Sequence, residues 1–333
     1  MIKIGINGLG RIGRSVARAI LEEGYEDIQL VAANGSASNE HHAHLLQFDS
    51  VHGRYPHRIS VSEEGLDLGR GLVTITHARD PKNIDWAALG VDIVLECTGA
   101  FNSKEAASIH LQQGAKKVLI SAPAGDDCPT FVYGVNCNQL TSAHTVFSVG
   151  SCTTNALAPL AKVLDAQFGI VSGYMTTIHA YTGDQNLVDG SHKDLRRARA
   201  AALSMVPTKT GAAKAIGLVL PQLAGKLNGT AIRVPTPNVS LVDLTVVVEK
   251  PTTKEAVNDA LKQASSSMLP NVLKVDDRPL VSMDYTHDNA SSIVDLTGTA
   301  VVSGTLVRVA SWYDNEWGFS CRMLDLARKA AKL

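Results

Sequence analysis

The sequence predicts an α/β protein: a Rossmann-type parallel-sheet domain followed by an α+β domain with a mostly antiparallel sheet. Three observations lead there. Short apolar runs alternate with helical patterns through the first half of the chain. A Gly-x-Gly-x-x-Gly loop joins the first apolar run to the first helical pattern. After Cys152 the apolar runs become longer and richer in β-branched residues. Alternation of strand and helix is the pattern of βαβ units and parallel pairing, whereas long β-branched runs suit an antiparallel sheet.

The first run, IKIGIN, is apolar on both faces, as a strand covered by helices on each side has to be. It leads into Gly8, Gly10 and Gly13 and a helix over residues 10–23. Gly8 permits the tight turn, Gly10 lets the backbone approach a pyrophosphate, and Gly13 lets helix and strand pack closely. Arg11 and Ile12 occupy the first helical turn, where amide hydrogens and the positive dipole end favour phosphate. A bare Gly-x-Gly-x-x-Gly could be a tight turn and nothing more; strand before and helix after make it a dinucleotide site. IQLVAAN is the second strand. The carboxylate that such a strand usually offers the cofactor ribose, about 20 residues past the glycine loop, is missing from the following VAANGSAS.

LVTIT, VDIVLEC, a helix over 104–113, KKVLIS and TVFSVG continue the alternation. SCTTNALAPLAKVLDAQFG reads as a long helix that Pro159 should bend or deprive of one hydrogen bond. GIVSGYMTTIHAY, GTAIRV, VSLVDLTVVVE, SSIVD and VSGTLVRVASWYD form the second sheet. Between its runs, Thr182 to Pro207 keeps no sustained period, carries HKDLRRARAA, and is too long for an ordinary connection; it reads as a functional or interface loop. The stretch from Trp317 to Leu333 is helical with a basic end, which suits a helix C-terminus.

Composition narrows the function classes. The 333 residues are 19% charged with a formal net charge of -1, so no sequence-wide field draws nucleic acid or an anionic membrane. No apolar run approaches the roughly 18 residues of a membrane span, and the start shows no signal-peptide pattern. Five cysteines, an odd number without CxxC or Cys/His spacing, indicate neither a disulfide framework nor zinc. A reducing cytoplasm is the expected setting. Cys152 stands apart because it opens a helix after a strand, among Ser151, Thr153, Thr154 and Asn155; amide hydrogens there should lower its thiol pKa. Cys97, Cys137 and Cys321 read as small core hydrophobes. His179 ends a strong β run where a loop begins, and it is the expected partner for Cys152. The other histidines, including His41, His42 and His44, read as surface or satisfied structural residues, and no metal site is expected.

At these residues the chain resembles the phosphorylating glyceraldehyde-3-phosphate dehydrogenase family. The resemblance runs nearly the full length, through INGLGRIGR at 6–14, HLLQFDSVHGRY at 44–55, ECTG at 96–99, GSCTTNALAPLAKVL at 150–164, TTIHAYTGDQ at 176–185, HKDLRRARAAA at 192–202, TKTGAAKA at 208–215, RVPTPNVSLVDL at 233–244 and WYDNEWGFS at 312–320. It implies a cofactor-binding domain over 1–150, a catalytic domain over 151–315, and a C-terminal helix over 316–333 that returns to the first domain. It also implies a homotetramer, with glyceraldehyde 3-phosphate and inorganic phosphate as substrates. By resemblance Cys152 is the nucleophile and His179 its activating partner. Ser151, Thr153, Thr210 and Gly211, with Arg197, match one anion site; Thr182, Asp184 and Arg233 match the other. Asn7, Asn34, Gly35, Arg79, Thr98, Gly99, Ser121 and Asn315 join the glycine loop as cofactor positions. Arg196 and Arg199 read equally well as a solvated basic turn.

The chain departs from the family pattern at three places. Ala156 replaces a second cysteine, Phe319 a common tyrosine, and Gly35 a common aspartate. Gly35 removes both an acceptor for the ribose 2′-hydroxyl and a charge that would repel a 2′-phosphate, with Ser36 and Ser38 as small donors nearby. The expected cofactor is therefore NAD or NADP. The competing readings are erythrose-4-phosphate dehydrogenase, against which TGAAK speaks, and a binding protein of the same fold without catalysis. No aromatic platform or broad basic patch supports nucleic acid as main partner.

Overall fold

The structure, a computed structural model, describes residues 1–333. Its chain divides into two compact units: Met1–Phe131, Cys137–Ser151 and Ser320–Leu333 form the first, and Val132–Asn136 with Cys152–Phe319 form the second.

The first unit holds strands β1 (Ile2–Asn7), β2 (Ile28–Asn34), β3 (Phe48–Asp49), β4 (Gly53–Arg54), β5 (Ser60–Val61), β6 (Gly65–Asp67), β7 (Leu72–Thr76), β8 (Ile93–Glu96), β9 (Lys117–Ile120) and β10 (Val146–Ser148). Its helices are α1 (Arg11–Glu22), α2 (Asn39–Gln47), α3 (Lys104–Ala107) and α4 (Ile109–Gln112). The main sheet runs β10-β9-β8-β1-β2-β7-β6-β5. The pairs from β10 to β7 are parallel, and the β5–β6–β7 edge is antiparallel. β1 lies at the centre, with β2 on one side and β8 on the other. Strand order reverses there, so the carboxyl ends of β1, β2 and β8 open a crevice suited to a ligand.

The helix expected over 104–113 is two short helices. Ser108 sits between them, and its Oγ donates to the Lys104 carbonyl at 2.6 Å, a side-chain bond that competes with the helical ladder.

In the second unit α5 (Cys152–Phe168), α6 (Ala212–Val219) and α7 (Lys254–Gln263) pack against strands β11 (Ile170–Ala180), β12 (Val206–Thr208), β13 (Leu227–Val234), β14 (Ser240–Val248), β15 (Leu273–Asp276), β16 (Ser292–Val302) and β17 (Leu306–Tyr313). The order is β12-β13-β11-β14-β17-β16-β15. Four pairings are antiparallel, while β11–β13 and β15–β16 are parallel. β14 alternates strictly: Val242, Leu244, Val246 and Val248 enter the core with Leu157, Leu160 and Leu164 of α5, and the residues between them face the opposite side. α5 continues through Pro159 without interruption. The run VSGTLVRVASWYD is a hairpin turn followed by a strand, with φ of 51° at Ser303 and 74° at Gly304, the left-handed conformations that tight β-turns require. The final helix α8 (Trp317–Ala330) starts in the second unit and belongs to the first from Ser320 onward.

No helix is long and apolar enough to cross a membrane.

Candidate active site

In the first unit the crevice at the end of β1 is a cleft of about 640 Å³. Asn7, Gly8, Gly10, Asn34, Gly35, Arg79 and Thr98 line it, joined by Arg14, Ser36, His41 and His42. The three glycines divide the work as their positions suggest. A Cβ on Gly13 would stand 2.0 Å from the Gly8 carbonyl oxygen, and one on Gly8, whose φ is 102°, would stand 2.8 Å from Thr98; Gly10 has nothing within 4 Å. Gly8 and Gly13 thus serve the protein's own packing, and Gly10 keeps a space open. No side chain caps the N-terminus of α1, which leaves its amides for an anion. These observations fit a dinucleotide.

Several expected cofactor positions take other parts. Arg11 turns away from the cleft and pairs with Asp49; burial opposes the Asp49 charge, but Arg11 and two backbone amides hold its carboxyl far below the usual range. Ile12, Gly13, Gly99 and Ser121 do not line the cleft. Asn34 is saturated: Nδ2 donates to Asn7 Oδ1 at 2.8 Å and to the Ala78 carbonyl at 2.9 Å, and Oδ1 accepts from Thr76 Oγ1 and the Ala78 amide, each at 2.9 Å. An asparagine amide has two donors and two acceptor sites, so its side chain is a strut of the cleft wall with nothing left for a ribose. The strut continues inward, because Asn7 Nδ2 donates to Glu96 Oε2 at 2.6 Å, and His110 and Trp86 complete the buried chain. Ser38 caps α2 by accepting from the His41 amide.

The histidine cluster also departs from expectation. His42 is 5% exposed, and beyond a weak contact with the Gly35 backbone its ring nitrogens lack a hydrogen-bond partner. No group of three or more His, Cys, Asp or Glu side chains is arranged to hold a metal ion.

In the second unit Cys152 opens α5, and its Sγ lies 3.5 Å from His179 Nε2. His179 Nδ1 is 2.7 Å from the Ala180 carbonyl and 3.2 Å from Arg233 Nη1. The shorter contact requires a proton on Nδ1, which leaves Nε2 bare toward the thiol. Burial pushes the imidazole down to about 3, with the Arg233 and Arg197 charges pushing the same way. Burial pushes the thiol up, against Arg233 and the Thr153 hydroxyl and amide, which pull it down. The expectation of a thiol lowered by its helix terminus is corrected in the net: the amides act in that direction, but desolvation outweighs them. Burial thus works against the charged form of both partners.

Tyr313 completes the site and was not legible in the sequence. Its hydroxyl lies 2.9 Å from Thr153 Oγ1 and 2.9 Å from Thr177 Oγ1, and its ring stands edge-on to His179 at 6.0 Å. Burial raises its pKa out of reach, so it is a neutral strut. Ser240 is a second one: its Oγ accepts from the Ala180 amide at 3.0 Å and donates to Asn315 Oδ1 at 2.8 Å.

The anion residues fall into two groups. Arg233 Nη1 reaches Thr182 Oγ1 at 3.2 Å as well as the Ala180 carbonyl at 3.0 Å, beside His179. Arg197 spans Asp184 at 2.6 Å, Thr208 Oγ1 at 3.0 Å and the Lys209 carbonyl at 3.2 Å. Asp184 is therefore tied to Arg197; burial raises its pKa less than that bond and charge lower it. Thr210 and Gly211 precede α6, with Thr210 Oγ1 accepting from the Ala212 amide. Ser151 is half-buried. Arg199 pairs with Asp189 in the open. None of the five cysteines forms a disulfide; Cys128 and Cys321 are buried, the Cys97 thiol is desolvated beside the cleft, and Cys137 is partly exposed, which corrects its assignment to the core.

Comparison with known proteins agrees with this geometry. The family model described as Glyceraldehyde 3-phosphate dehydrogenase, NAD binding domain, matches residues 2–104, and the corresponding C-terminal domain matches residues 151–315. A glyceraldehyde-3-phosphate dehydrogenase of Xanthobacter flavus is 57% identical over 332 residues, covering 100% of this chain and 99% of its own. The Geobacillus stearothermophilus protein of that name is 54% identical, covering 98% and 97%.

Proposed function

The chain belongs to the glyceraldehyde-3-phosphate dehydrogenase family and is an NAD-dependent oxidoreductase of glyceraldehyde 3-phosphate; on that premise we propose that Cys152 is the nucleophile and His179 its base. The observation that carries this is the 3.5 Å approach of Sγ to Nε2, which is the acceptor nitrogen of the neutral tautomer that the bond from Nδ1 to Ala180 selects. Cys152 Sγ attacks the aldehyde carbon as its proton passes to Nε2, and the resulting alkoxide recovers that proton to give a hemithioacetal. Bound NAD supplies the hydride acceptor. His179 takes the hydroxyl proton as the C–H bond breaks, leaving a thioester on Sγ. Inorganic phosphate attacks the thioester carbonyl, sulfur leaves and is reprotonated, and 1,3-bisphosphoglycerate departs, a glycolytic step. To amides at the start of α5 we assign stabilisation of the oxyanion of each addition.

Arg233 with Thr182, and Arg197 with Thr208, Thr210, Gly211, Ser151 and Thr153, are the donors we assign to substrate phosphate and inorganic phosphate, since guanidinium and hydroxyl groups suit phosphate oxygens. For the cofactor we assign Gly8, Gly10 and the α1 amides to the pyrophosphate, Arg79, Thr98 and Gly35 to the adenosine side, and Asn315 to the nicotinamide. With no acid among the cleft residues, NADP is accepted beside NAD. We also assign a homotetramer and a reducing cytoplasm. Leu187, Val188, Leu195, Leu203 and Met205 in the 181–205 loop are each at least 71% exposed, an apolar patch that suits a partner subunit, and five cysteines outside any disulfide suit reducing conditions.

The deciding experiment is Cys152→Ser. Turnover should fall by about three orders of magnitude or more, as when a nucleophile is removed, while NAD affinity measured by calorimetry stays within about twofold. Retained turnover would remove the mechanism.

A further inference from the structure

In a dinucleotide fold the residue at the end of the second strand sets what stands beside the ribose 2′ position: a carboxylate there accepts from a 2′-hydroxyl and repels a 2′-phosphate. Here Asn34 ends β2 with its amide saturated, and Gly35 follows without a side chain. The place in front of Gly35 is filled from elsewhere. A Cβ on Gly35 would lie 2.5 Å from His42 Nε2 and 2.6 Å from His42 Cε1, so the imidazole of α2 occupies the volume of a residue-35 side chain. It lines the cleft, is 5% exposed, and beyond a weak contact with the Gly35 backbone neither nitrogen finds a hydrogen-bond partner in the protein. Buried polar atoms left so call for an explanation, and a ligand atom is one. The surroundings carry one sign. Arg14 from α1, His41 from α2 and His77 after β7 are the charged or titratable groups around the ring, Arg79 lines the same cleft, and no Asp or Glu does.

We propose that His42 determines cofactor specificity, with Nε2 donating to the phosphate of a 2′-phosphorylated adenosine in the volume that a residue-35 side chain would otherwise fill. This rests on the reading that the cleft holds the adenosine half of the cofactor and accepts NADP. Burial pushes the free imidazole below its ordinary value, so the bound dianion is what draws a proton onto it, and the preference for the 2′-phosphate rises as pH falls. Residues 35 and 42 are also coupled: an aspartate at 35 has no room until the imidazole leaves.

Calorimetry on the full chain with adenosine 2′,5′-bisphosphate and with adenosine 5′-monophosphate isolates the 2′-phosphate and needs no turnover. His42→Leu, which keeps the bulk, should weaken the bisphosphate about tenfold and the monophosphate less than twofold. The affinity ratio of the two ligands should rise about threefold or more from pH 8 to pH 6 in the wild type and stay flat in His42→Leu. His42→Gln, which keeps a neutral donor, should recover part of the affinity without the pH dependence. In the wild type, the His42 imidazole NMR signals should titrate at higher pH with the bisphosphate than with the monophosphate. Equal loss of both ligands in His42→Leu, or loss of neither, overturns the role of His42 while NADP acceptance stands. A wild-type chain that binds the monophosphate but not the bisphosphate overturns NADP acceptance and this role together, and one that binds neither removes the cleft as the adenosine site.

Discussion

Burial moves the Cys152 thiol up and the His179 imidazole down, so it works against the charged form of each across the 3.5 Å between them. Two measurements follow at this scale. Alkylation of Cys152 by iodoacetamide in the cofactor-free chain should accelerate about tenfold per pH unit from pH 6 to 8, as for a thiol that still has to ionise; a rate already flat at pH 6 would indicate a resting thiolate–imidazolium pair. His179 also contributes to acid sensitivity. Its folded pKa of about 3 lies below its unfolded value of about 6.5. Between these values the unfolded chain binds the extra proton, so stability falls with pH at up to about 1.4 kcal/mol per unit for this one group. His179→Asn should flatten denaturation midpoints between pH 6.5 and 3. Tyr313→Phe removes hydrogen bonds to Thr153 and Thr177 and should cost about 1–3 kcal/mol of stability, with the loss read by urea unfolding.

The turn from β1 into α1 shows one element serving two ends. Gly13→Ala drives a Cβ to 2.0 Å from a backbone oxygen, whereas Gly10→Ala meets nothing. The first should therefore lower the melting temperature by several degrees, as about 1–3 kcal/mol of overpacking does. The second should leave the melting temperature unchanged and weaken NAD binding. Equal effects on both properties would mean that Gly10 has no close approach to a ligand. This loop was legible in the sequence because its demands are local: three glycines, the strand before them and the helix after. Cys152 at a helix start was legible for the same reason. What stayed hidden depends on distant partners. The saturation of Asn34 is set by Asn7, Thr76 and Ala78, up to 44 residues away, and Tyr313 meets Thr153 across 160 residues. His42 reads as a surface histidine until Gly35 is seen to leave room for it. The break at Ser108 and the hairpin at Ser303 and Gly304 are local, but a helical period and a β-branched run overrode them in the sequence pattern.

At the scale of the whole molecule, the second sheet has helices over one face and leaves Tyr174 at 50%, Val247 at 38% and Leu306 at 39% exposed on the other. Together with the apolar 181–205 loop, that face predicts self-association. Sedimentation should show a tetramer that Leu195→Asp with Leu203→Asp shifts to smaller species, and a wild-type monomer would remove the prediction. The parallel first sheet and the mostly antiparallel second one came from alternation and from β-branched runs, but the parallel β11–β13 and β15–β16 pairs did not, because pairing direction depends on connections that periodicity does not encode. The chain path of the first unit bears on how the protein is made. Its last 14 residues, Ser320–Leu333, supply Met323, Leu324, Leu326, Ala327 and Ala330, all fully buried. The part of this unit made before residue 152 therefore waits for residues 320–333, while the 168-residue segment Cys152–Phe319 emerges in one piece and can finish before it. A nascent chain stalled with residue 319 at the tunnel exit should resist protease in the later-synthesised unit while the earlier one is still cut.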